Sequence, residues 1–177
     1  MKDPITIKIT ILQPVHKVWD YFYNSKHIVK WNFPTTNWHC PKATSQFYEG
    51  GRFDYRLEYK DKSFGYNFAG QIDEIKVLEY VKSHLDDGRK VEVYFNKIDD
   101  NTTEIIEIFE PEIQNGREMQ RVGWYAILDR FHKYVENNWL RFSIWSDRTP
   151  ELDVVSDAMP PQMDTKPSNR NFRNMST

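Results

Sequence analysis

Glu107 stands between Ile106 and Ile108, an acid inside a run of β-branched residues. If Ile105, Glu107 and Phe109 turn inward, the carboxyl enters apolar surroundings, where desolvation raises its pKa and suits it to acid-base work. If Ile106 and Ile108 turn inward instead, Glu107 is an ordinary solvated charge. Both faces of the run are mixed, so alternation leaves the two arrangements open. His39-Cys40 offers an imidazole beside a thiol, the parts of a metal site or a cysteine nucleophile. No second Cys and no nearby His supplies further ligands, and no metal is expected. Cys-His catalysis also needs a base placed by the fold and an oxyanion hole, neither legible here. His39 reads instead as a loop residue beside Trp38 that hydrogen-bonds near a pocket mouth. Arg117 and Arg121 put two guanidiniums near the start of the last helical run. They are expected to pair with Glu110, Glu112 or Glu118; an anion site aided by the helix dipole is the alternative. Glycine-rich phosphate loops, His-Glu-x-x-His and nucleophile-elbow patterns are absent, and no cofactor is expected.

Large side chains form the second group. Trp31, Trp38, Tyr55, Tyr66, Phe68, Phe95, Phe109 and Trp124 are candidate walls of a ligand cavity, with Leu128 and Glu107 completing the set. Aromatic stripes are more often plain core. Tyr and Trp on inward positions carry polar tips that need partners, and an apolar cavity with a few convergent polar groups is what a small-molecule site looks like.

The elements that must position these residues are legible from periodicity. Ile5, Ile7, Ile9 and Ile11 alternate with polar residues as in a strand. Pro14 stops it and opens a short helix over 14–23, with Val15, Val18, Trp19 and Phe22 at helical spacing. Asn24-Ser25 caps a second helix through about Trp31. Residues 32–44, with Pro34 and Pro41 bracketing Trp38, lack any period and read as a loop lying over something apolar. Gly50-Gly51 marks a tight turn. Alternating runs follow over Phe53–Tyr59, Tyr66–Ile72, roughly Leu78–Leu85, Val91–Phe95 and Thr103–Phe109, joined by short turns such as Asp87-Gly88. From Asn115, with Glu118 completing a capping box, an apolar face of Trp124, Ile127, Leu128, Phe131, Tyr134 and Val135 predicts a helix to about 142. The order predicts an α+β fold. A curved antiparallel sheet of six or seven strands wraps around a long C-terminal helix, with two short helices after strand 1. A cavity between sheet and helix is expected, roofed by the Trp31–Trp38 segment.

Composition bounds the class. At 177 residues one domain is expected, over 1–145, followed by a mostly irregular Pro-containing tail over 146–177. Aromatics make up 15% of the chain, so each buried position carries much area. A net charge of −2 argues against nucleic acid and anionic membrane as partners. The single cysteine, the lack of an apolar leader and the lack of a long apolar run predict a cytoplasmic protein with no membrane span.

Several motifs carry a resemblance. They are Gly50-Gly51-Arg52-Phe53, Phe64-Gly65-Tyr66-Asn67-Phe68-Ala69-Gly70, Asp86 to Val91, Phe109-Glu110-Pro111-Glu112, Gln120 to Trp124 and Ile127 to Glu136. In this order the chain resembles single-domain proteins related to the carboxy-terminal domain of the activator of Hsp90 ATPase. These belong to the START/Bet v 1-like, or helix-grip, superfamily. The resemblance implies a helix-grip fold whose cavity holds hydrophobic ligands or hosts enzyme chemistry, and it brings no shared catalytic motif. The first functional reading is therefore a module binding a hydrophobic or aromatic small molecule. The alternatives are a protein-interaction module with Hsp90 as partner, or a cyclase- or hydrolase-like enzyme using Glu107, Tyr55 or His39.

Overall fold

The fold was obtained as a computed structural model that describes residues 1–140, with side chains through 137. The tail expected over 146–177 lies outside the described residues. Seven strands form one antiparallel sheet in the order β1-β7-β6-β5-β4-β3-β2. In chain order the elements are β1 (Ile5–Ile11), α1 (Val15–Tyr23), α2 (Ser25–Trp31), β2 (Trp38–Ser45), β3 (Arg52–Tyr59), β4 (Gly65–Lys76), β5 (Tyr80–Leu85), β6 (Lys90–Asp99), β7 (Thr102–Phe109) and α3 (Arg117–Leu140). This is the expected helix-grip arrangement. Among the described residues no helix is long and apolar enough to cross a membrane.

Alternation decides which side chains meet. Along β7 every second residue is buried: Thr103, Ile105, Glu107 and Phe109. The register sets Glu107 opposite Ile7 on β1 and Val93 on β6, both buried. The open question about Glu107 is thereby answered: it faces the interior, and Ile106 and Ile108 lie on the outer side. β3 and β4 supply Phe53, Tyr55 and Leu57 against Gly70, Phe68 and Tyr66 on the same inner face. On α3, Leu128, Phe131 and Val135 are fully buried, while Trp124, Ile127 and Tyr134 pack against the core from its margin. That is the predicted apolar stripe.

Three local expectations are corrected. Residues 32–44 are not all loop: β2 starts at Trp38 and pairs with β3. Pro41 hid it. On an edge strand, beside the register shift between His39 and Lys42, its missing N–H costs no ladder bond. The capping box at Asn115 and Glu118 does not form. The first helical bond runs from Gln120 N to Gly116 O, Glu118 pairs with Arg121 instead, and the Glu112 carboxylate accepts from the amides of Gln114 and Asn115. Glu112 thus takes the Asn115 amide that the Glu118 carboxylate was expected to reach. Finally, Leu78 belongs to the turn before β5, in a left-handed conformation with φ 63°.

Two polar anchors tie α3 to the segments beside it. Gln120, 1% exposed, accepts from Glu112 N at 2.9 Å and donates to the carbonyls of Glu112 and Asn115. Arg130 lies over the Phe33 ring at 4.4 Å and donates to the Phe33 carbonyl, tying the segment after α2 to α3.

Candidate functional site

Between the inner face of β3–β7 and the helices lies a cavity of about 110 Å³. Phe53, Tyr55 and Leu57 come from β3, and Tyr66, Phe68 and Ile72 from β4. Val81 and Ser83 of β5 and Val91 and Val93 of β6 form its floor, with Glu107 of β7 beyond them. Trp124 and Ile127 of α3 close the opposite side, and Phe22, Tyr23, Trp31 and Asn32 close the end formed by α1 and α2. Trp124 is held flat against Phe109, with ring centroids 3.9 Å apart and planes 10° apart, and meets Phe68 edge-on. The helix therefore presents a rigid aromatic wall.

The polar groups inside are few. Glu107 is 7% exposed and makes no hydrogen bond or ion pair among the described residues. Burial alone pushes its carboxyl up to about 8, so it is largely protonated at neutral pH. The Tyr23 hydroxyl is buried without a hydrogen-bond partner among the described residues. Burial pushes its phenol well up, and the nearby Tyr55 and Glu107 add to the shift. The Tyr55 phenol is raised by burial too, with the Ser45 hydroxyl beside it pulling the other way. Ser45 Oγ nevertheless makes no geometrically sound hydrogen bond. Ser83 is satisfied by the Val91 carbonyl at 3.3 Å. Unpaired polar atoms around an apolar gap mark a place where a guest's polar group gains more than it would in water.

Among the described residues Arg89 is the one basic residue on the wall, and it is already engaged. Its guanidinium donates to Asp87 at 2.8 Å and to the Glu110 carbonyl at 3.4 Å. Together with Phe53 and Tyr66 it also lines a surface groove of about 1060 Å³ that runs to Pro111–Gln114. These three side chains are the partition between cavity and groove.

Of the predicted wall, the structure brings Trp31, Tyr55, Tyr66, Phe68, Glu107 and Trp124 to the cavity. Four others lie outside its lining. Trp38 packs in a satellite cluster with Leu57 and Tyr66. Phe95 is buried under Trp19, Phe22 and Tyr23. Phe109 backs Trp124, and Leu128 is core at 1% exposure. His39 and Cys40, being neighbours on a strand, point to opposite faces. His39 meets Glu58 on the outer side at 3.2 Å, whereas the thiol is buried and pushed up to about 12. They cannot act on one atom. Arg121 pairs with Glu118 as expected, but Arg117 reaches Asp3 and the Pro4 carbonyl, locking α3 to the chain before β1.

Sequence reasoning missed Tyr23 and Arg89. Tyr23 lies four residues after Trp19 and so shares its helical face, a signal that was available. Arg89, one residue beyond the Asp87-Gly88 turn, carried no signal, because turn arginines are usually solvated.

The family model for activator of Hsp90 ATPase homolog 1-like proteins matches residues 13–136. The chain belongs to this family. The solution structure of an AHSA1-like protein from Aeromonas hydrophila is 30% identical, covers 81% of this chain and 100% of that one, and superposes with a TM-score of 0.70. A protein from Cytophaga hutchinsonii is 39% identical over 77% of this chain and 94% of its own, with a TM-score of 0.66. A Nitrosomonas europaea protein with 12% identity and a TM-score of 0.66 shares the fold. No curated protein matches. For this AHSA1-like chain, the chemistry of the site must therefore be argued from its own side chains.

Proposed function

We propose that this AHSA1-like protein binds a small, largely apolar or aromatic molecule in the cavity between sheet and α3. The observation that carries this reading is the apolar gap itself, in which Glu107 and Tyr23 find no polar partner among the described residues. A close-packed core would have filled such a space or placed an apolar residue at Glu107. At about 110 Å³ the space is below the several hundred Å³ of sites for drug-sized ligands. It is nearer the roughly 150 Å³ cavity that takes up a benzene ring. The guest is thus one ring or a short branched chain, with Trp31, Tyr55, Tyr66, Phe68, Glu107 and Trp124 as its contacts. Phe53, Tyr66 and Arg89 form the wall through which it passes. A cytoplasmic setting suits the free buried thiol of Cys40.

Thermal-shift screening of the full chain with single-ring compounds tests this. A ligand at a hundred times its dissociation constant is expected to add about 2.7 kcal/mol of stability. The shift should vanish when Phe68→Trp or Ile72→Phe fills the gap. A collection of such compounds producing no shift would remove the reading.

A second reading rests on the same carboxyl. Glu107, neutral near pH 7 and beside the Tyr23 phenol, is suited to hand a proton to a bound substrate. A turnover lost in Glu107→Gln but kept in Tyr23→Phe would favour it. Interaction with Hsp90, suggested by the family's description, is tested separately by titration of Hsp90 and its ATPase.

A further inference from the structure

We propose that the guest of this cavity is a small organic cation, an aryl- or alkylamine whose protonated nitrogen sits against Glu107 with aromatic faces around it. The inference rests on the cavity being a ligand site and names the class of ligand.

Among the described residues Glu107 has no positive partner of its own. The titratable groups facing it are the Tyr23 phenol from α1 and, beyond it, the Tyr55 phenol from β3. Its neighbours across the ladders on β1 and β6 are Ile7 and Val93. Trp124 and Ile127 are what α3 contributes to the cavity. Tyr66 and Arg89 complete the titratable groups of the wall, and the Arg89 guanidinium is held by Asp87 and the Glu110 carbonyl. A carboxyl buried like this opposes folding in its ionised form and adds nothing by its charge until a cation arrives.

The rest of the wall suits that cation. Phe22, Trp31, Phe53, Phe68 and Trp124 surround the space. Aromatic faces attract ammonium groups through their quadrupoles, most strongly where water is excluded. A neutral guest would use the rings as apolar surface only and one oxygen of the acid as a hydrogen-bond partner. An amine uses the ring faces and the charge together, so the two unusual features of the wall have one explanation. The unpaired Tyr23 hydroxyl can turn its oxygen towards the same N–H groups.

The charge balance is simple. The amine enters as its ammonium form, Glu107 gives its proton to solvent, and a neutral ion pair remains. Because burial pushes the empty carboxyl up to about 8, one proton leaves for each ligand bound at pH 6–7. Affinity for an amine then rises by almost tenfold per pH unit below 8 and levels off above it. A neutral guest that accepts a hydrogen bond from the protonated acid shows the opposite trend.

The test compares benzylamine with benzyl alcohol, matched in size, by calorimetric titration of the full chain at pH 6 and pH 8.5. Titrations in two buffers of different ionisation enthalpy count the protons released. The expected result is benzylamine binding that tightens roughly fifty-fold or more between the two pH values, with one proton released at pH 6. Benzyl alcohol is expected to show no such gain, and Glu107→Gln to lose the preference for the amine. Benzyl alcohol binding while benzylamine does not would overturn the amine assignment and leave the cavity reading standing. Neither binding would overturn both. Amine binding without proton release, or unchanged in Glu107→Gln, would also overturn it. Should that variant fold poorly, the proton count on the unaltered chain decides by itself.

Discussion

Glu107 has a consequence that does not depend on any ligand. Its carboxyl is pushed up to about 8 from an ordinary 4.5, so between these values the folded chain holds a proton that the unfolded chain has released. The sign follows from linkage: where the folded state binds more protons, stability falls as pH rises. The contribution is complete below about pH 4.5 and lost as the pH climbs through 8, a swing on the order of 5 kcal/mol. Glu107→Gln has no proton to lose there. Denaturant unfolding of both proteins from pH 5 to 9 should show the variant gaining on the parent as pH rises, overtaking it near neutrality. Parallel curves would mean the carboxyl is not desolvated. The acid itself was visible in the sequence, but not its environment. A glutamate between two isoleucines has even odds of facing either way until its strand is paired on both sides.

At the scale of elements, the inner face of β4 shows how tightly the sheet is packed beside its cavity. Gly70 lies opposite Phe53 and Leu85, and a Cβ there would come 2.2 Å from the His84 carbonyl oxygen and 2.8 Å from the Phe53 ring. Gly70→Ala is expected to destabilise by about 3 kcal/mol, read as a lowered denaturation midpoint with an unchanged m-value. A shift of less than a third of that would mean the strands separate easily at this point. Most elements were legible because burial imposes its period on the sequence: two along β1 and β3, and 3.6 along α3. β2 escaped because a proline and a bulge broke its alternation, and an edge strand tolerates both. The start of α3 escaped for a different reason. Asn115 and Glu118 have the right types and spacing for a capping box, yet a carboxylate brought in from Glu112 reached the amide first.

For the whole molecule, the family match ends at residue 136 and the described structure at 140. If the working unit ends near residue 145, a chain stopped there should melt within about 2 °C of the full chain and keep its response to single-ring ligands. A loss of about 10 °C would tie residues 146–177 to the fold. The sequence by itself determined the architecture, because strand and helix periods, turn residues and family motifs are local or ordered along the chain. It also named most of the aromatic wall, since inward positions follow from alternation. Only the tertiary structure decided that Glu107 faces the interior near the Tyr23 phenol, that Arg89 is spent on Asp87, and that Phe95 and Phe109 are core behind the wall. The reason is physical: whether a side chain lines a gap or fills one depends on how far two surfaces stand apart. That distance is set jointly by seven strands and three helices and is written in no single stretch of the chain.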